Sequence, residues 1–132
     1  MITYKEVFSV SKLEAYLYSL IYKNVSDHVF AGTLSDTIKE SWNDMVLIDC
    51  VRLDDKDALA NGVVNIFLYA RPKGDGSKNV TLMSTLERKL NTVLKNAEQD
   101  EHFIINRNSF YQDYDSNRKW HFNVIVLNVT II

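Results

Sequence analysis

The chain has 132 residues, 46% of them hydrophobic, which suits one domain with a real core and leaves little room for a second fold. Its 15 Lys and Arg stand against 17 Asp and Glu, so no strong field of either sign draws it to DNA or to an anionic membrane. The only cysteine, Cys50, excludes an intrachain disulfide and a multi-cysteine zinc site, and it fits a reduced cytosolic setting. Residues 1–8 lack the basic-then-apolar form of a signal peptide, and no apolar run reaches the roughly 18 residues of a membrane span. A soluble single α+β domain over residues 1–132 is expected.

Ser11-Lys-Leu-Glu14 has the capping-box form, and Leu13, Tyr16, Leu17, Leu20 and Ile21 follow at the spacing of one buried helix face. This predicts a first helix over 11–22. His28-Val-Phe-Ala-Gly-Thr33 is short and β-prone, 45–53 is a longer apolar run, and the polar stretch 34–44 between them reads as a loop. Asp54, Asp55 and Asp57 precede Asn61-Gly62, a dipeptide suited to a turn, so 45–53 and 63–70 form an antiparallel pair joined by an acidic loop. Pro72 closes the second of these strands.

Leu82, Met83, Leu86, Leu90, Val93 and Leu94 recur at helical spacing and predict a second helix over 80–96. The stretches 103–114 and 119–131 are strand-like and flank Asp115-Ser-Asn-Arg118, the form of a C-terminal hairpin. In the last strand Trp120, Phe122, Val124, Val126 and Asn128 share one face and His121, Asn123, Ile125, Leu127 and Val129 the other, so both faces turn apolar after Asn123. The expected architecture is a single mixed, mainly antiparallel sheet with two helices packed on it, in the order α-β-β-β-α-β-β.

No stretch has the spacing that catalysis or cofactor binding requires. Gly74 and Gly76 stand two apart with Ser77 before Lys78, which fits neither a Walker-type phosphate loop nor a dinucleotide fingerprint; a polar strand-to-helix connection is expected. The aspartates at 54–57 lack the glycine and distant glutamate of a calcium loop and read as a solvated hairpin tip. His28, His102 and His121 are scattered, and Cys50 reads as a small buried hydrophobe. The expectation is no catalytic residue, no metal and no cofactor.

The order of elements, carried by "LEAYLYSLI" at 13–21, "HVFAGT" at 28–33, "MVLIDC" at 45–50, "VNIFLYAR" at 64–71, "NVTLMSTLERKLNTVL" at 79–94 and "FNVIVLNVTI" at 122–131, resembles that of phage tail terminator and head-tail completion (neck) proteins. The 34–44 segment departs from the pattern by its length and polarity. The resemblance implies a structural, non-enzymatic protein that forms a ring, often hexameric. The ring caps the tail tube and joins it to the head connector, first in the host cytoplasm and then in the virion, without a membrane or specific nucleic acid. On that reading Trp42, Arg71, Lys73 and Lys78 are candidate interface residues on the loops, because exposed tryptophan and arginine favour interfaces. Two other readings stand beside it. One is a small ligand-binding or enzymatic domain with His121 and Asp113 facing across the hairpin; the other is an adaptor that binds another protein through an exposed strand.

Overall fold

The computed structural model describes residues 9–56, 59–98 and 103–132. Two helices, α1 (Val10–Ile21) and α2 (Val80–Ala97), and five strands, β1 (Val29–Ala31), β2 (Asp44–Lys56), β3 (Leu59–Ala70), β4 (Phe103–Asp115) and β5 (Trp120–Ile131), follow the expected order. The strands make one mixed sheet with the spatial order β1-β2-β3-β5-β4. β1 runs parallel to β2, and every other neighbouring pair is antiparallel. The fold class is α+β.

Period-2 alternation assigns the two faces. Val46, Ile48 and Cys50 of β2 share a face with Val64, Ile66 and Leu68 of β3 and with Ile125, Leu127 and Val129 of β5. Both helices lay their stripes on this face, α1 with Leu13, Leu17 and Ile21 and α2 with Met83, Leu86, Leu90 and Leu94, in one continuous buried cluster. Each fully buried Leu or Ile there contributes about 1.5–3 kcal/mol.

Several local expectations shift for identifiable reasons. The cap of α1 is Ser9, whose Oγ accepts from the Lys12 backbone N–H at 3.2 Å, so Ser11 lies inside the first turn. Glu14 is drawn away from the expected capping box because its Oε2 accepts from the Cys50 backbone N–H at 3.1 Å. α2 is capped by Asn79, whose Oδ1 accepts from Leu82 N–H at 3.1 Å.

Asn61-Gly62 is not a turn; it lies within β3, with Gly62 opposite Leu53, and the tip of the β2–β3 hairpin at 57–58 falls outside the described residues. A glycine suits position 62 because α1 crosses close by: a Cβ there would stand 3.0 Å from Leu13 Cδ2 and 3.3 Å from Leu53 Cδ1. Leu13 is itself fully buried, so the room cannot easily be made.

The polar stretch expected as a loop at 34–44 is also more than a connection. Because β1 is parallel to β2, the chain must return between them, and segment 32–43 does so over the face opposite the helices. There Leu34, Ile38 and Trp42, with Phe30 of β1, pack on Met45, Tyr69 and Trp120 in a second, smaller cluster to which neither helix contributes.

Candidate functional site

The glycine stretch resolves into a self-satisfied turn. Asp75 Oδ1 accepts from the Ser77 backbone N–H at 3.0 Å and from its hydroxyl at 2.6 Å, while Gly76 N–H donates to Lys73 O and Lys73 N–H to Ser77 O. The Ser77 hydroxyl and backbone bonds hold the Asp75 carboxyl below the usual range, so an anion fills the loop from within. Gly76 takes φ of 86°, which the tight turn needs.

Other candidates are equally occupied. Among the described residues no cluster of His, Cys, Asp and Glu could hold a metal; Asp54 pairs with Arg52 at 3.4 Å, and Asp57 and His102 lie outside the described residues. Burial, then the nearby Glu14 and Asp49 charges, push the Cys50 thiol up to about 11, which removes it as a nucleophile near neutrality. His28 stacks on Trp42 with ring centroids 4.2 Å apart. His121 and Asp113 do not face one another: Asp113 pairs with Phe122, whereas His121 pairs with Tyr114, with ring centroids 4.8 Å apart. One residue of offset in the register puts the two on opposite faces of the sheet.

Of the four loop residues singled out from the sequence, Arg71 and Trp42 are brought into contact, while Lys78 turns to other partners. Arg71 is half-buried and fastens segment 32–43: its Nε donates to Trp42 O at 2.8 Å, its Nη2 to Lys39 O at 3.0 Å, and its guanidinium lies 4.8 Å from the Trp120 ring. Trp42 is half-buried in the second cluster. Lys78 Nζ reaches away to donate to Gln112 Oε1 at 2.5 Å and Asn123 Oδ1 at 2.8 Å. Lys73 is exposed in the turn.

What the fold leaves available is different. On the face opposite the helices, Leu47, Phe67, Val124 and Tyr111 stand in register across four strands, with Val63, Val126 and Phe122 beside them. Phe122 stacks on Tyr69 at 5.0 Å and leans on Phe67 at 5.8 Å. Segment 32–43 packs at the end of this face that holds Met45, Tyr69 and Trp120; Phe67 and Phe122 lean on the same cluster, and Val124 is fully buried. Burial, with the nearby Asp115 charge, pushes the Tyr69 hydroxyl above its ordinary range, so it stays neutral.

The second available feature is the free edge of β4. Among the described residues β4 pairs only with β5, and it carries exposed Ile104, Phe110, Tyr111 and Tyr114. A bulge between Arg107 and Ser109 shifts its phase, so Arg107 and Phe110 both face the helix side. They line a groove of about 360 Å³ between α2 and β4 together with Leu90, Leu94 and Ile125. Sequence reading missed these residues because "NRNSFYQDY" at 106–114 does not alternate cleanly; the aromatic pair Phe110-Tyr111 in a polar strand was the available signal.

No protein-family model matches the chain, and no curated protein matches it in sequence.

Proposed function

We propose that the protein is a structural subunit of a phage or prophage neck, a ring-forming component that caps the tail tube and joins it to the head connector. Two things support the reading. One is the resemblance in element order to tail terminator and head-tail completion proteins. The other, which carries it, is the apolar sheet face opposite the helices, where Leu47, Phe67, Phe122 and Val126 are half-buried and Tyr111 is 49% exposed with no helix packed over them. An apolar patch of this kind on a small domain marks an interaction surface, and in a ring the occupant is a second copy of the chain.

The test is the mass of the purified protein by light scattering over a range of concentrations, alone and with a candidate tail-tube protein. A defined multiple of 15.3 kDa, alone or on the tube, is the expected result. A monomer in both conditions would overturn the proposal.

A further inference from the structure

Arg107 is chemically incomplete. Its Nη2 is shielded from solvent and is the one buried side-chain nitrogen or oxygen among the described residues with no hydrogen-bond partner. An unpaired, desolvated N–H on a charged group is costly, and an anionic group meeting the rest of this half-buried guanidinium would offset that cost. Arg107 Nη2 bonds neither Glu87, which lines the same groove and whose Oε1 accepts from Asn123 Nδ2 at 2.7 Å, nor Glu98, which lines an adjoining hollow with Arg107. Arg88 also lines the groove and adds a second positive charge, while Leu90, Leu94, Phe110 and Ile125 make its walls apolar.

The groove is bordered by Arg107 and Phe110 of β4, the edge strand of the sheet among the described residues. In an antiparallel pair alternate residues turn both backbone groups toward the partner strand, so the remaining residues of β4 turn theirs outward, where no described strand meets them. A strand added there would lie about 4.8 Å away and send every second side chain to the helix side, beside Arg107 and the 64% exposed Phe110.

We infer that β4 takes up an extended segment of a different protein, one that presents an aspartate or glutamate to Arg107 and apolar side chains, two residues to either side, to the groove walls. The partner is not a second copy offering one of its own sheet edges. The acids of β4, Asp113 and Asp115, pair with Phe122 and Trp120 on the opposite face, and β1 is three residues long without an acid. This goes beyond ring formation, which uses the other face of the sheet, and it names the chemistry of a partner that is not the chain itself.

The probe is a fluorescein-labelled peptide, Lys-Thr-Val-Thr-Glu-Thr-Val-Thr-Lys, which places Val, Glu and Val on one face of a strand, compared with the same peptide carrying Gln for Glu. Fluorescence anisotropy should show the Glu peptide binding the full chain at least tenfold more tightly, and Arg107→Gln should abolish that preference. Arg107→Lys, which keeps the charge, should retain part of it and guards against a folding defect in the first variant. Amide exchange should slow along the outward-facing residues of β4 on peptide addition.

Equal binding of the two peptides, no binding, or protection elsewhere than β4 would overturn the inference. So would concentration-dependent protection of β4 without peptide, which would make a second copy the occupant. Arg107→Gln leaves the outer face untouched, so light scattering on this variant separates failure of this inference from failure of the ring.

Discussion

The two faces of the sheet are made by the same strands with the same alternation, yet one is covered by two helices and the other by a short return segment at one end. On the helix side the apolar positions of β2, β3 and β5 meet the leucine stripes of α1 and α2 and reach full burial. On the other side the row Leu47, Phe67, Val124 and Tyr111 is uneven: Val124 is fully buried, while Leu47 and Phe67, with Phe122 beside them, stop at partial burial. Burial on the first face holds the fold together; partial burial on the second leaves apolar area whose removal from water is available to association. On the proposed reading, a sheet apolar on both faces but covered by helices on one divides its labour between stability and assembly.

Substitutions should separate those two roles. The largest effect is expected from Leu13→Ala, which empties a fully buried site under α1 and should cost about 2–5 kcal/mol in urea denaturation. Arg71→Met should cost about 2 kcal/mol, through loss of two charged hydrogen bonds and the contact with Trp120, and should speed amide exchange in segment 32–43 while the helix side stays protected. Gly62→Ala should destabilise by about 1 kcal/mol, because the new Cβ crowds Leu13 and Leu53, again by denaturation midpoint.

The smallest effect concerns the β4–β5 turn. Burial of the Asp115 carboxyl opposes its ionisation, but backbone N–H groups of Arg118 and Asn117 and the Arg118 guanidinium outweigh it and hold the group below its ordinary range. A depressed acid stabilises the fold above its unfolded pKa, near 3.9, and loses that contribution as pH falls through the lower folded value. Asp115→Asn should therefore be slightly less stable than the parent at pH 7, by under about 1 kcal/mol, and in thermal melts the two should converge as pH falls below the carboxyl's folded value.

The helix side was legible in the sequence because 3.6-residue and two-residue periods read directly as buried stripes: α2 begins and ends within a residue of its expected bounds. The faces of β5 were equally plain, since Trp120 and Phe122 alternate with His121 and Asn123 as expected. Expectations failed where a distant contact decides a local choice. Glu14 serves Cys50 across the fold instead of its own helix start. Asn61-Gly62 looked like a turn because close approach of α1 and turn chemistry both select glycine. Trp42 and Arg71 looked like surface residues because nothing local announces that segment 32–43 folds back over Trp120. Arg107 was invisible for the same reason, since its place beside α2 depends on a bulge in β4.

The central claim, that the uncovered face is the assembling one, is tested most directly by sedimentation velocity on the parent and on a Phe67→Thr, Phe122→Thr variant over the same concentration range. Both substituted side chains are partly exposed, and the variant should keep a cooperative unfolding transition because the helix-side cluster is intact. The account predicts that the parent associates with rising concentration and that the folded variant stays at the sedimentation coefficient of a monomer. A folded variant that associates as the parent does would contradict it.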